Sequence, residues 1–315
     1  MITKIKNNFL ILLYLTITVL GQNNFSFKKS MDNHKHFEER EINISIYKNR
    51  TELYKIKKIL PPNFSIPEVA LFENGNLVLI HSLEGVIEFY SKGVLQTEKV
   101  LLGKYFYNES SILFSLDKNK ISLLITEEQK NKIILLDDLG ILIFEKETLD
   151  GFGSGIAYSE DADILAVSIN KWEKDNLESR SIFTNIKTNL EFTAPYKFEK
   201  GFFEKNSSTF LGHSNNKLFL FDLASNQLLW TKEPKTNSVF LESKIKDNNV
   251  FVVEAETPKL INNSWIYKIG KLVTLNSSGK KINSQTINKP FESIGIVDEH
   301  NILYFNANGE KTKIK

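Results

Sequence analysis

The sequence contains no cysteine among its 315 residues. Disulfide bonds and a lipid-modified cysteine are therefore excluded, and the fold has to be stabilised by its hydrophobic core alone. Neither sign of charge is in excess, since 40 basic residues stand against 38 acidic ones. This balance gives no electrostatic reason to expect nucleic acid or an anionic membrane as a partner.

The apolar run near the N-terminus is too short for a membrane span. It covers the twelve residues 9–20, whereas a bilayer requires roughly 20 apolar residues. Lys4 and Lys6 precede the run, and the small residue Gly21 follows it, directly before Gln22. This layout predicts a cleaved secretory signal peptide at residues 1–21, and hence a secreted or periplasmic protein without a stable membrane span. An uncleaved anchor is the alternative.

Helical periodicity of ten or more residues is also absent. After a polar segment at residues 22–41, predicted to be a flexible linker, short alternating apolar runs are separated by turn residues, which is the pattern of β-strands. Successive hairpin turns lie 37 to 53 residues apart, at Asn49, Lys92, Leu139, Thr188, Ser225 and Ser278. A repeat of about 45 residues is typical of four-stranded propeller blades.

We therefore predict an all-β fold for residues 42–315, a β-propeller of six four-stranded blades. Five blades are expected at residues 67–101, 109–149, 154–198, 202–233 and 238–287. The sixth is expected to combine strands from both ends of the chain, which would close the ring and leave no exposed edge. Seven blades are the alternative, if residues 301–314 form an outer hairpin of their own.

One hairpin, NKLFLFDLASNQLLWTKE, carries a resemblance to a known family. Its Leu220, Asp222, Leu229 and Trp230 resemble the repeat of the quinoprotein-like (PQQ-like) propellers. WD40-like propellers fit nearly as well. The resemblance implies a propeller fold, and it implies a calcium site and clustered acids only if the chain is a quinone-dependent enzyme.

Residues that suit catalysis or metal binding are sparse. The sequence has neither a Gly-x-Ser-x-Gly nucleophile motif nor an Asp-x-Asp-x-Asp-Gly calcium loop. Asp161 and Asp163 suit a tight turn, and His34 and His36 lie in the predicted linker. We therefore predict no cofactor and no metal. The alternative is a propeller enzyme, either a quinone-dependent oxidoreductase or a metal-assisted hydrolase or lyase.

Aromatic residues are concentrated in the expected connections between strands. The longest connections from a second to a third strand, residues 170–180 and 257–268, contain Trp172 and Trp265. The connections between blades add Tyr105, Phe106, Tyr107, Phe152, Phe202 and Phe203. In a propeller these connections emerge on one face, and aromatic side chains on the loops of a rigid scaffold are typical of binding sites. The alternative is that these rings fold back over the blade edges.

The function predicted from these features is that of an exported, non-catalytic propeller. It is expected to bind a protein, peptide or glycan through this aromatic loop face.

Overall fold

The computed structural model describes residues 25–31, 39–101, 110–159, 161, 163–173, 176–205, 208–261, 264–287, 289–298, 301–305 and 311–314. All regular secondary structure in these ranges is β-strand. The strands form seven antiparallel sheets of three or four strands and one separate two-stranded hairpin. The all-β prediction is therefore confirmed.

The chain divides into two compact units, of which unit 1 comprises the residues up to Gly103 together with Asp138–Gly140. Its first sheet has three strands, β1 (Phe25–Met31), β2 (Arg40–Lys48) and β3 (Thr51–Leu60). Its second sheet has four strands, β4 (Glu68–Leu71), β5 (Leu77–His81), β6 (Val86–Ser91) and β7 (Val94–Val100).

Unit 2 comprises the remaining residues. One sheet contains β8 (Ser110–Asp117), β9 (Lys120–Glu127), β10 (Lys130–Asp137) and β11 (Leu142–Thr148). The next contains β12 (Phe152–Ser159), β13 (Ile164–Glu173), β14 (Asn176–Asn185) and β15 (Glu191–Ala194). A third contains β16 (Lys200–Phe203), β17 (Thr209–Ser214), β18 (Lys217–Asp222) and β19 (Gln227–Lys232).

In the last part of unit 2, a separate hairpin lies between the second and third strands of a four-stranded sheet. β20 (Ser238–Lys246) and β21 (Asn249–Glu256) are followed by the hairpin of β22 (Lys259–Ile261) and β23 (Ser264–Ile266). β24 (Gly270–Leu275) and β25 (Lys281–Ile287) then complete the four-stranded sheet. A three-stranded sheet of β26 (Ser293–Asp298), β27 (Asn301–Phe305) and β28 (Lys311–Ile314) follows.

The five four-stranded sheets lie where the hairpin spacing predicts five blades, and their boundaries differ from the prediction by a few residues. The predicted hairpin turns also contain residues with the backbone conformation that such turns require. Asn49, Asn189 and Asn226 have φ values of +51°, +56° and +53°, and Gly93 and Gly279 have +82° and +74°. Asparagine and glycine tolerate this left-handed conformation better than other residues do.

Sheets pack face to face within unit 2, and the first strands β8, β12, β16, β20 and β26 contact one another in chain order. The cores between the sheets are rich in phenylalanine. For example, Phe183 of β14 lies 5.0 Å edge-on from Phe210 of β17 and 5.5 Å from Phe221 of β18, between ring centroids. Because both faces of the middle strands are covered, their sequences are almost continuously apolar. The fourth strands are exposed.

The predicted flexible linker is wrong for residues 25–31, which form β1. Phe25 and Phe27 are buried, and Phe27 lies opposite Ile46 in the ladder with β2. This alternation of apolar and polar residues is short and lies in a lysine-rich segment, so the sequence resembled a linker. Burial of the two rings against the isoleucines of β2 stabilises the strand.

The expected composite sheet of N- and C-terminal strands is not observed in the described residues. β1–β3 form one sheet and β26–β28 another. The prediction assumed that only two strands precede the first full blade. Since β1 supplies a third, the N-terminal segment builds a sheet without C-terminal strands. The prediction of six blades and a closed ring is not confirmed.

Candidate functional site

The β13–β14 hairpin extends past the edge of its sheet. β12 pairs with β13 as far as Asn170, and β15 pairs with β14 only from Ser181. Between these points β13 and β14 continue to pair with each other, so the segment 170–180, predicted as a loop, is mostly strand. Its alternation of polar and apolar residues includes several charged side chains, and the sequence was therefore mistaken for a connection.

An apolar pair lies on one face of this hairpin. Trp172 is directly opposite Leu177, and their exposed fractions are 62% and 48%. Side chains directly opposite in antiparallel strands are close enough to interact.

The other face of the hairpin is charged. Lys171 lies 3.5 Å from Glu173, and Arg180 lies 2.9 Å from Glu178. These four residues line a cleft of about 150 Å³, together with Leu149, Asp150 and Ile169. The charges on this face therefore neutralise one another in pairs.

The β22–β23 hairpin has the same arrangement. It is inserted between β21 and β24, which pair directly with each other. Leu260 is opposite Trp265, and their exposed fractions are 58% and 60%. The segment 257–268 was predicted as a loop, but its central part is a second protruding hairpin with an exposed Trp–Leu pair. Each strand is only three residues long, too short for the sequence to show alternation.

A larger cleft of about 670 Å³ lies at the base of this hairpin. Its walls come from the β19–β20 connection, the end of β21 and the starts of β22 and β24. The connection is fastened to β21, because the backbone N–H of Lys235 donates to Glu254 Oε1 (2.7 Å) and that of Thr257 donates to the carbonyl oxygen of Asn237 (2.9 Å). The cleft is therefore formed by a fixed backbone.

The charges lining this cleft are not neutralised in pairs. Lys235, Lys259 and Lys271 line it, and they take part in none of the ion pairs found in the described part of the chain. Of the two lining carboxylates, Glu254 lies directly opposite Lys271 in the β21–β24 ladder and accepts the Lys235 backbone N–H, while Glu256 is exposed. Three ammonium groups thus face two carboxylates.

Phe152 lies beside the first hairpin. It was expected in a connection, but it is the first residue of β12, opposite Asn170, and it is partly exposed. The glycines that follow Phe152 allow close packing. A Cβ atom at Gly153 would lie 2.7 Å from Leu124, and one at Gly155 would lie 2.6 Å from the carbonyl oxygen of Phe198.

The other predicted aromatic residues do not join this surface in the described structure. Phe202 and Phe203 lie on β16 and pack against two different cores, with the Phe203 ring 4.9 Å from that of Phe210. They were expected to line a connection, but both cover sheet faces. Tyr105, Phe106 and Tyr107 lie outside the described residues. Whether any of the eight aromatic residues binds a partner stays a prediction.

Unit 1 contains a buried polar cluster that the sequence does not reveal. The Glu88 carboxylate accepts hydrogen bonds from Lys58 Nζ and from Tyr90 Oη, the latter at 2.9 Å. Burial by itself raises the pKa of Glu88, but His81, Lys58 and Tyr90 outweigh this and lower the pKa to about 2. His81 Nε2 lies 3.9 Å away, beyond hydrogen-bond distance, so Lys58 and Tyr90 are the direct partners.

A second buried histidine lies in unit 2. Nδ1 of His213 is 2.7 Å from Oγ of Ser243, within hydrogen-bond distance. Burial, followed by the nearby charge of Lys200, lowers the pKa of His213 to about 4. The imidazole is therefore neutral at neutral pH.

Neither histidine belongs to a metal centre in the described residues, where no group of three or more histidine, aspartate or glutamate side chains is arranged to hold a metal ion. The turn predicted at Asp161 and Asp163 is observed, and both carboxylates pair with lysines, Lys118 and Lys187. Over the same described residues, no helix is long and apolar enough to cross a membrane.

A protein-family model matches residues 112–312, which is more than half of the chain. Its description is "Family of unknown function (DUF5711)". The chain belongs to this family. The matched region of DUF5711 includes both protruding hairpins. No curated protein matches the sequence.

Solved structures similar to this DUF5711 chain include several propeller proteins. The crystal structure of BamB from Moraxella catarrhalis matches with a TM-score of 0.55 and 12% identity, over 93% of this chain and 82% of that one. The Dos1 propeller matches with a TM-score of 0.56 and 12% identity, over 91% of this chain and 78% of that one. A chain of the mitotic checkpoint complex matches with a TM-score of 0.57 and 11% identity, over 89% of this chain and 87% of that one. At these identities the similarity shows a propeller-type fold and nothing about function.

Proposed function

We propose that this chain is a non-catalytic, protein-binding propeller whose partner docks on the β13–β14 and β22–β23 hairpins. The observation that carries the proposal is that each hairpin exposes a tryptophan directly opposite a leucine. The two pairs present apolar area on short β-hairpins. Burying apolar surface is favourable by about 25 cal/mol per Å², and tryptophan is enriched among the residues that dominate interface energies.

The topology supports a common binding end within each sheet. Phe152, where the chain enters β12, lies opposite Asn170 at the base of the first hairpin. Ser238, where it enters β20, lies opposite Glu256 at the base of the second. In both sheets, the entry to the first strand and the hairpin after the second strand are therefore at the same end. This is the end from which a propeller's binding connections emerge.

The structural neighbours are consistent with this proposal at the level of the fold. One of them is a chain of a mitotic checkpoint complex, a protein assembly. A propeller fold alone does not determine a partner. The argument for protein binding therefore depends on the exposed hairpins rather than on the similarity.

Export is a second part of the proposal. The run at residues 9–20, the lysines before it and the small residue before Gln22 support a cleaved signal peptide. The partner would then be a protein of the envelope or the medium.

A pull-down with the chain from Gln22 onward tests the docking surface, using envelope and medium of the native host. The variant Trp172→Ala/Trp265→Ala should lose the captured protein. The matched control is Leu190→Ala/Ile282→Ala, which also truncates two exposed apolar residues, one of them in the connection between β14 and β15. This control should keep the protein.

Equal capture by both variants would contradict the proposed surface. All three chains should have the same melting temperature, because the truncated side chains are exposed. A glycan array probed with the same chains distinguishes the other partner class. Tryptophan-dependent binding to a glycan, with no captured protein, would replace the proposal.

A further inference from the structure

We infer that the partner contributes an extended, acidic segment, which adds as a third strand to the free edge of β22. This inference rests on the proposed function and specifies its ligand. It combines three features at the second hairpin: a free edge on β22, an apolar pair on one face, and a cleft at its base that holds more ammonium groups than carboxylates.

The free edge belongs to β22. β22 pairs with β23 on one side, and on its other side no ladder occurs in the described part of the chain. Beside β23, the backbone is already engaged just past the end of the strand, because Tyr267 exchanges two backbone hydrogen bonds of 2.9 and 3.0 Å with Phe291. An unpaired strand edge is a template for an extended peptide, which gains main-chain hydrogen bonds there.

The two faces of the hairpin differ in chemistry. Successive residues of a strand point to opposite faces. Leu260 and Trp265 therefore share one face. Lys259, which lines the cleft, shares the other face with Ile261, Ser264 and Ile266. A strand added beside β22 would alternate in the same way. It would place apolar side chains next to Leu260 and polar ones towards the cleft.

The charge of the cleft determines which polar residues fit. Lys235, Lys259 and Lys271 line it together with Glu254 and Glu256, so one positive charge is in excess. Aspartate or glutamate side chains would complement these ammonium groups, whereas lysine side chains would be repelled.

The first hairpin does not share this preference. Its Lys171 and Arg180 already pair with Glu173 and Glu178. Its cleft is also smaller, about 150 Å³ against about 670 Å³. The structure therefore assigns the partner's acidic strand to the edge of β22. The β13–β14 hairpin contributes only an apolar contact with the partner.

A phage-displayed library of random dodecapeptides tests this assignment, with the chain from Gln22 onward as the target. Selected peptides should alternate acidic with apolar residues. A synthetic peptide of the selected sequence should bind the variant Lys259→Glu/Lys271→Glu at least tenfold more weakly. The matched control is Lys280→Glu/Lys281→Glu, which changes the net charge equally at the other end of the same sheet. It should bind as the wild type does.

Strand addition has its own readout. Backbone amides of Lys259–Ile261 should exchange more slowly with solvent when the peptide is bound, since added main-chain hydrogen bonds protect them. Peptides without acidic bias, equal binding by the two charge variants, or unchanged exchange at β22 would each overturn the inference. If Trp172→Ala/Trp265→Ala releases the partner while Lys259→Glu/Lys271→Glu retains it, the proposed function stands and this inference fails.

Discussion

Glu88 shows how single residues hold charge inside this fold. Its carboxylate is buried, and Lys58 and Tyr90 donate to it directly. Burial alone would favour the protonated acid. The partners outweigh this effect and lower the pKa of Glu88 to about 2, so the carboxylate stays ionised until the pH falls to that range. Removing a partner leaves a buried charge without compensation.

We expect Lys58→Met to lower the free energy of unfolding by roughly 3 kcal/mol, the usual result of breaking a buried ion pair. Urea unfolding at neutral pH measures this loss. The double variant Lys58→Met/Glu88→Gln should recover a large part of it, because no charge then remains unpaired. An equal loss in both variants would show that packing rather than charge is responsible.

His213 predicts a pH dependence of stability. Its pKa falls from the ordinary 6.5 to about 4 in the fold, so the unfolded chain binds the proton more readily. The stability that neutral His213 contributes is present above pH 6.5 and is lost as the pH falls towards 4. In His213→Gln, unfolding free energies measured at closely spaced pH values should fall less steeply over this window. An unchanged slope would exclude His213 as the titrating group.

The sequence predicted some residues well and others poorly. The turns at Asn49, Ser225 and Ser278 were identified because the conformational preference of turn residues is local. The Lys58–Glu88 contact could not be predicted, since it joins strands of two different sheets 30 residues apart. Phe203 was expected in a connection, because the sequence alone does not show which sheet the phenylalanine side chain packs against.

At the scale of secondary-structure elements, a tryptophan links two neighbouring sheets. Trp230 of β19 packs on the β24–β25 turn, and its Nε1–H donates to the carbonyl oxygen of Ser277 at 3.0 Å. The turn comes close because Gly279 lacks a Cβ atom, which would otherwise lie 2.9 Å from the indole.

Trp230→Phe should lower the free energy of unfolding by about 1 kcal/mol, since it keeps an aromatic ring and removes one hydrogen bond. Thermal or urea unfolding measures the difference. Leu229→Ala, at the exposed neighbouring position, is the control and should have a smaller effect. A larger loss at Leu229 would contradict the role of the tryptophan.

The two protruding hairpins show the limit of prediction for elements. Both segments were identified as aromatic connections after a second strand, and the exposed tryptophans are indeed there. Their pairing was missed because β22 and β23 are three residues each, and because the tip of β13–β14 carries charges on alternate positions. Strand pairing depends on the partner strand, which a local pattern does not contain.

At the scale of the whole molecule, the spacing of hairpins was the most informative part of the sequence. The spacing located five four-stranded sheets. A sheet buries both of its faces only when similar sheets pack on either side of it, and the same strand pattern therefore recurs along the chain. The terminal sheets were not located, since β1 is a short alternation within a polar segment.

Export is the prediction that concerns the whole chain. When it is expressed in its native host, the exported protein should begin at Gln22, as measured by N-terminal sequencing. Leu12→Arg/Leu13→Arg places two charges in the apolar run and should keep the full-length chain in the cell. Normal export of that variant, or an exported protein that retains residues 1–21, would contradict the predicted signal peptide.

The insertion of the β22–β23 hairpin has an evolutionary consequence. β21 and β24 pair directly from Glu254 and Ala255 to Lys271 and Gly270, so the sheet is complete without the hairpin. Selection for folding therefore acts weakly on the exposed residues of the hairpin, such as Leu260, Ile261 and Trp265. Related proteins can diverge there in length and composition, and so acquire different partners, while the surrounding strands stay recognisable.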